Sequence, residues 1–556
     1  MRIWHNIKSI PQNPGAGLIA VLLFTALLFS NGFFNGFILD DWDYIHGWPL
    51  IQSWENWPGF FVNFQSPKGQ EGVYSPFKTV LHALNYHLFG RRPLGHHVFS
   101  VGVHLMIVAL VYQLSFLLSK ERWIAFFSAL IFGLHPVHAI AASATAGVDL
   151  VGVLAMFYSF YHLLLFYEQE TVFKKKHYLL SVFFAFIAIY TTELMVSIPV
   201  LYAWFIICMS PRKKMKQGLQ QILPFLILVI SYVFAKYFAV ARISRGGYLF
   251  DSPYLTFLVM IKSFAKYILI CFFPVVLTHN HVISPGIFSF DASDFDPQAV
   301  MAQSLFDVRV LLSLLLLLAA LALIIFFWKS QRRLSFLVGW FFICLGPTSQ
   351  IIPTSVYFGE RYLYPGSFAF CLLFAYFLYG VLFQWNLRSR QKQIVRVLVF
   401  CYLVFLVGRL FFRISDGRDD RTVFQAAVRA NPRSALMRTD LGAAYLRHGQ
   451  PREALKTLEE ALKIKAKKPD IYFQKAEAYI QLNDRDAAIH TLRQAIALDA
   501  SYNDAYYNLA GLYAMKGNQQ LATTYLNKAL NLYRQAGLDR EADELRRTFN
   551  GHFQFE

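Results

Sequence analysis

Three carboxylates, Asp40, Asp41 and Asp43, crowd into the stretch Phe37-Ile38-Leu39-Asp40-Asp41-Trp42-Asp43-Tyr44. They follow an uncharged apolar run over residues 16–34, long enough to cross a bilayer whose hydrocarbon core takes roughly 20 residues of helix. Acids placed where the chain leaves lipid are costly to keep, and are suited to taking a proton from a reacting group. The plainer account is that Asp40 or Asp41 caps the next helix while Trp42 and Tyr44 sit in the interfacial aromatic belt. The stretch by itself supports both accounts equally.

Further polar groups stand between apolar runs: His135-Pro136-Val137-His138 with Asp149, then Glu193, His279-Asn280-His281, and Gly359-Glu360-Arg361-Tyr362-Leu363-Tyr364-Pro365. A His-x-x-His pair could ligate a metal from one helical face, but Pro136 interrupts it and a third ligand is normally needed. Helix termination and hydrogen bonding are favoured for His135 and His138. His279 and His281 point to opposite sides of an extended chain, so no metal site is assigned there either. Arg361 is different, because a guanidinium near the bilayer surface beside aromatics is suited to holding a phosphate. Its alternative is an ion pair with Glu360 or Asp149. Lys262 and Lys266, one helical turn apart, could serve the same phosphate or extend to the lipid head groups. Acids at one end of a cavity and cations at membrane level fit an anionic lipid-linked substrate.

These groups need a scaffold, and the composition points to a membrane. Of 556 residues, 56% are hydrophobic and 15% charged, with a mean hydropathy of +0.39, which excludes an ordinary soluble protein. The net charge of +18 is not read as nucleic-acid binding, because Lys and Arg cluster in short loops between apolar runs, as the positive-inside rule expects. Cys208, Cys271, Cys344, Cys371 and Cys401 lie inside apolar runs, where they act as small hydrophobes without a disulfide framework. The first apolar run lacks a small-residue cleavage site and is expected as a retained helix.

The loop over 35–97, broken by Pro49, Pro58, Pro67, Pro76 and Pro93, is expected to fold as an outer cap. Apolar runs follow at 98–118, 123–140, 149–167, 178–192, 194–209, 221–240, 254–277, 308–328, 334–346, 366–384 and 394–412. Placing the basic clusters at 174–176, 212–214, 329–333 and 388–392 in the cytoplasm puts the N-terminus inside. Three crossings between the second and third of these clusters would break that rule, so one run should not cross. Lys262 and Lys266 mark 254–277 as that run, re-entrant or lying at the outer surface. About 11 crossings remain, with Asp40-Asp41, His135 to Asp149, Glu193, 278–306 and 347–365 on the outer face, together with everything after Arg413.

Near Ser415 the chain turns polar and takes up a 34-residue period, the length of a TPR unit. Gly442, Ala476 and Ala510 are equally spaced, as are Tyr445, Tyr479 and Tyr513, and Gly449, Asn483 and Gly517. Ala454, Ala488 and Ala522 follow the same register. Small residues let paired helices approach closely while the tyrosines fill between them. The organisation expected is a membrane domain over 1–414, a linker over 415–434, three TPR repeats over 435–536, and a capping helix and tail over 537–556.

The order of motifs resembles the GT-C membrane glycosyltransferases that use polyprenyl-phosphate sugars, most closely the protein O-mannosyltransferase-like branch with transmembrane helices followed by TPR repeats. The residues carrying the resemblance are Leu39-Asp40-Asp41, Tyr74-Ser75-Pro76-Phe77, Leu84-Asn85-Tyr86-His87-Leu88-Phe89-Gly90, Gly95-His96-His97-Val98, Leu134-His135-Pro136-Val137-His138, Val148-Asp149-Leu150, Thr192-Glu193, Gly346-Pro347-Thr348-Ser349 and Glu360-Arg361-Tyr362-Leu363-Tyr364. The resemblance implies an all-α fold, a polytopic helical GT-C domain followed by a TPR α-solenoid. It implies that Asp40 or Asp41 is the general base and that a lipid phosphate leaves toward cations such as Arg361, with inversion at the sugar. Tyr362, His135, His138, Asp149, Glu193, Lys262 and Lys266 are then expected to line the substrate. Where the family has Arg, this chain has Ser75, with Lys78 as a substitute, and where it tends to Ser-Lys-Glu, this chain has Thr191-Thr192-Glu193.

The implied partners are a polyprenyl-phosphate-linked sugar, a protein or glycan acceptor docked on the TPR repeats, and membrane lipids, with no nucleic acid. No cofactor is assigned, and the need for a divalent cation is left open. The compact chain and short loops fit a bacterial inner membrane, with the site and the repeats on the periplasmic side. Two rivals are an oligosaccharide ligase using a lipid-linked glycan, and a non-enzymatic membrane scaffold for the TPR module. An anchor needs one helix, so many crossings with outward acids argue against the scaffold.

Overall fold

The structure, a computed structural model, describes residues 14–61, 74–142, 146–168, 174–241, 243–244, 246–278, 304–354, 356–386, 388–432, 434–464, 468–535 and 538–553. The chain divides into two compact units, Met1–Asp419 and Asp420–Glu556. Among the described residues both are built from helices and turns, with no strand.

The first unit comprises α1 (Pro14–Phe29), α2 (Pro76–Phe89), α3 (Pro93–Ser119), α4 (Arg122–Leu134), α5 (Ala146–Glu168), α6 (Lys174–Thr191), α7 (Ile198–Met209), α8 (Arg212–Gln220), α9 (Leu223–Val240), α10 (Pro253–Phe272), α11 (Val308–Ser330), α12 (Arg332–Leu345), α13 (Leu363–Tyr379) and α14 (Ser389–Asp416). Eight helical stretches among the described residues are long and apolar enough to cross a membrane, and two shorter apolar helices, Arg122–Leu134 and Glu193–Met209, accompany them. This is a multi-pass membrane protein. Proline opens many of its helices, at α2, α3 and α10 among others, where the missing N–H is an orphan in any case and the fixed φ suits the first turn. α11 illustrates the lipid-facing extreme, with only 6% of its most apolar window buried within the protein, against 61% for α3 and 67% for α5. Helix contacts are made close by small residues. A Cβ at Gly152 of α5 would lie 2.7 Å from the Thr192 side chain, and Ser100 of α3 accepts from the Gly147 N–H at 3.1 Å.

The stretch at 254–277, expected as the run that does not cross, is helical over most of its length. Up to Phe272 it is one continuous helix, α10, with Ser252 accepting from the Leu255 N–H at its start. Its most apolar window is 61% buried within the protein. Lys262 is 6% exposed, and Lys266 lies over the Phe358 ring.

Between α1 and α2, three short helical turns, Trp42–His46, Pro49–Gln52 and Trp54–Phe60, form a cap packed on α2 through Trp48, Ile51, Phe60 and Ala83. The expected outer loop thus folds, in its described part, on α2.

The second unit begins with α15 (Asp420–Ala430), followed by α16 (Ala435–Arg447) and α17 (Pro451–Ile464), α18 (Pro469–Gln481) and α19 (Arg485–Leu498), α20 (Asn503–Met515) and α21 (Gln519–Gln535), and α22 (Asp539–Phe553). The 34-residue register is a steric one. Ala454, Ala488 and Ala522 are fully buried where helices of a pair meet, and the turns within the pairs use left-handed residues at the same register, Gly449 at φ +66°, Asn483 at +64° and Gly517 at +76°. Gly takes that conformation freely and Asn better than most. The segment expected as a linker, 415–434, is largely helical, because α14 runs to Asp416 and α15 begins at Asp420. The change in composition at Ser415 falls one residue before the end of α14, and helix resumes at Asp420.

Candidate functional site

The acidic stretch is held by its own backbone. Leu39 takes a left-handed φ of +52°, closing a turn in which the Asp41 N–H donates to the Ile38 carbonyl at 2.9 Å and the Asp41 Oδ2 accepts from the Ile38 N–H at 3.0 Å. Asp41 is 1% exposed, so this acid is used up as an internal tie. Asp40, its neighbour, stays half-buried with a face to solvent. The turn is anchored from both sides: Asn35 donates to the Ile414 carbonyl at 3.1 Å, and His97 Nε2 meets the Asn35 carbonyl at 3.1 Å.

Asp40 shares its surroundings with two cations. The Arg361 guanidinium, exposed at the turn Glu360–Tyr362, lies within electrostatic reach of both Asp40 and Asp149 and over the Tyr362 ring at 5.4 Å. Lys78, from the first turn of α2, binds Asp149 with Nζ at 2.9 Å from Oδ1 and 3.1 Å from Oδ2, sits 5.1 Å from the Tyr44 ring centroid, and is itself within reach of Arg361. Burial works against the Lys78 charge, but Asp149 outweighs it and lifts the ammonium above its ordinary value, so Lys78 stays charged. The Asp149 side chain remains 40% exposed. One acid with an open face, two cations and a bridging acid therefore gather in one solvent-reaching cluster, from positions 40, 78, 149 and 361. A cluster of this kind can take up a proton at Asp40 and hold an anion at Arg361 and Lys78.

The other expected site residues have surroundings of their own. His135 and His138 are buried, His135 Nε2 meeting the Cys271 carbonyl at 3.0 Å and His138 joining the Phe132 carbonyl at 2.7 Å and the Ser367 hydroxyl at 2.9 Å. They tie α4, α10 and α13 together and present no ring nitrogen toward solvent. Glu193 pairs with Lys236 at 3.0 Å. Glu360 is buried, accepts from the Thr278 N–H at 2.6 Å and pairs with Arg413 at 3.3 Å. Lys266 lies within electrostatic reach of Glu360, and the Lys262 Nζ has no hydrogen-bond partner among the described residues. His279 and His281 lie outside the described residues. Among the described residues no group of three or more His, Cys, Asp or Glu side chains is placed to hold a metal ion. Lys78 is the member of the cluster that sequence reasoning weighed only as a substitute for a missing Arg, and its spacing to Asp149 offered no local signal.

Comparison with known proteins addresses the two units separately. Tetratricopeptide repeat models match residues 408–469, 445–494 and 504–535, and a TPR repeat model matches 476–517, so the second unit is a TPR array. The chain is 31% identical over 114 residues to the protein O-mannosyl-transferase Tmtc2 of Drosophila melanogaster, which is 20% of this chain and 12% of that relative. It is 34% identical over 118 residues to the protein O-mannosyl-transferase Tmtc1 of the same organism, 20% of this chain and 13% of the relative. The matched part is thus a small fraction of either relative's length. The chain is similar to the crystal structure of ArnT from Cupriavidus metallidurans bound to undecaprenyl phosphate, with a TM-score of 0.41 at 13% identity, covering 89% of this chain and 80% of that one.

Proposed function

We propose that this chain is a GT-C membrane glycosyltransferase that moves a sugar from a polyprenyl-phosphate donor to a hydroxyl of a protein Ser or Thr, or of a glycan, on the extracytoplasmic face. The observation that carries the reading is the gathering of the half-exposed Asp40 with Arg361 and the Lys78–Asp149 pair. The Asp40 carboxylate takes the proton of the acceptor hydroxyl, whose oxygen bonds to the anomeric carbon from the side opposite the phosphate. The bond from that carbon to the phosphate oxygen breaks, and its electron pair leaves with the polyprenyl phosphate. Arg361 and Lys78 receive the growing negative charge. A single base suffices, since the leaving phosphate needs no proton, and the anomeric centre inverts. The names of the two relatives support mannose as the sugar and a protein as the acceptor. The TPR unit is then the part that recruits the acceptor polypeptide, as helical repeat arrays do.

Of the two adjacent acids, the reading assigns the base to Asp40 and the structural tie to Asp41. The test is transfer from radiolabelled polyprenyl-phosphate mannose by the purified chain, with and without EDTA. Asp40→Asn should lower transfer by about a hundred- to ten-thousandfold, while Asp41→Asn, whose amide oxygen still accepts from Ile38, should retain most of it. Full transfer by Asp40→Asn would remove the base from this position.

A further inference from the structure

One face of α2 carries Lys78, His82 and Asn85 at spacings of four and three residues, which a helix lines up as a single stripe. Lys78 has its partner in Asp149. The other two are 3% and 2% exposed, yet among the described residues neither His82 Nε2 nor either polar atom of the Asn85 amide has a hydrogen-bond partner, and the same holds for His46 Nε2. The cap roofs the stripe. Tyr44 stacks on His82 with ring centroids 5.0 Å apart, Trp48 meets His82 edge-on at 6.0 Å, and Trp42 leans on His46 at 4.9 Å. Buried amides and imidazoles without partners are costly and rare in folded proteins, and this group adjoins the ion pair that bounds the candidate site.

The chemistry of the unmet groups selects their partner. Asn85 offers a donor and an acceptor side by side. His82 is neutral, because burial first, then Lys78 and His96, pull its imidazole well below the ordinary range. A phosphate or carboxylate would press its negative charge on the Asn85 carbonyl oxygen and find no charge on His82. A polyol suits both, since each hydroxyl donates and accepts. Trp48 alongside is aromatic, and an indole face carries the negative part of the quadrupole, which suits the C–H face of a sugar ring.

The geometry points to the His82–Asn85 stripe as the subsite that reads the hydroxyls of the donor sugar, with Lys78 at its phosphate end and the 42–60 cap folding over it. This rests on the glycosyltransferase reading and deepens it by naming the residues that tell one sugar from another. Because both side chains lie beneath the cap, the sugar reaches them as the cap segment shifts.

The experiment uses the purified full chain and three lipids, namely polyprenyl-phosphate mannose, polyprenyl-phosphate glucose, which differs at the C2 hydroxyl, and bare polyprenyl phosphate, with binding followed by intrinsic tryptophan fluorescence. The wild type should bind one sugar-bearing lipid at least tenfold more tightly than the bare one. Asn85→Leu, of similar volume without polar atoms, and His82→Phe should lose that gain, bind bare polyprenyl phosphate like the wild type, and melt no lower. If Asn85→Leu does not fold, Asn85→Ser is read in its place. Variants that keep the wild-type preference for the sugar-bearing lipid overturn the inference, and so does an equal loss for the bare lipid. A wild type that binds bare polyprenyl phosphate but gains nothing from either sugar overturns the subsite and leaves the lipid-phosphate reading standing. Binding of none of the three lipids overturns both.

Discussion

The two units differ in how much of their buried contact is charge pairing and how much is repeated steric fit. In the membrane unit, two buried cations meet an opposite charge: Arg413 and Glu360, with side chains 5% and 2% exposed, lie 3.3 Å apart, and Lys236 holds Glu193 at 3.0 Å. In the TPR unit, many buried positions are small and apolar, such as Ala454, Ala476, Ala488 and Ala510, the buried Asp420 is held by Arg447 at 2.8 Å, and an ion pair such as Lys516 with Asp486 sits at the rim, its side chains 39% and 85% exposed. The first unit therefore depends on a few pairings that work only when both members are present. The second depends on steric fit repeated along its length.

The sharpest way to break this contrast is to remove one member of the Glu360–Arg413 pair. Arg413→Met takes from the buried Glu360 carboxylate its ion-pair partner, a loss of about 3–5 kcal/mol for a buried pair. It should show as aggregation or a lowered melting temperature in detergent. Combining it with Glu360→Gln, whose amide oxygen can still accept from the Thr278 N–H, should recover much of the loss, and a single variant as stable as the wild type would show the pair to be idle. The next effect in size belongs to Arg361, which is exposed and free to face a ligand. On the proposed reading, Arg361→Ala removes charge-assisted hydrogen bonds to the lipid phosphate worth about 1.5–3 kcal/mol, so donor affinity should fall about ten- to hundredfold without a change in melting temperature. An unchanged affinity would take Arg361 out of the phosphate site.

The same contrast governs what was legible in the sequence. Steric fit leaves a trace at fixed spacing, so Gly449, Asn483 and Gly517 fall at one register and are left-handed together. Pairing leaves none. Glu360 and Arg413 are 53 residues apart, and the nearest arginine to Glu360 in sequence is Arg361. A 3₁₀ turn spans Glu360–Tyr362 and, at three residues per turn, sends adjacent side chains in divergent directions. Glu360 thus turns inward to Arg413 while Arg361 faces Asp40 and Asp149. The apolar runs gave away most of the helices, but not that Lys262 and Lys266 would be drawn into the protein along α10, since apolar content alone does not say which face of a helix meets lipid. Asp40 and Asp41 were indistinguishable as neighbours in sequence. The left-handed Leu39 separates them, and nothing in the residue types foretold that conformation.

The TPR unit supplies the smaller effects. Gly442 lies against α17, where a Cβ would come within 2.7 Å of Leu458 Cδ2 and 2.8 Å of its Cγ. Gly442→Val should cost the unit about 1–3 kcal/mol by overpacking, lowering its own unfolding transition while transfer to a small soluble acceptor hydroxyl continues. Loss of transfer to such an acceptor would show that the repeats do more than recruit polypeptide. Smallest of all is the rim pair. Lys516→Ala breaks its contact with Asp486, but both ends are solvated and screened, so the change should lie within about 0–1 kcal/mol. Thermal unfolding at low and at high salt should barely separate this variant from the wild type. A loss there as large as that of Arg413→Met would mean that the second unit, too, relies on specific charge pairing, and the contrast between the units would fail.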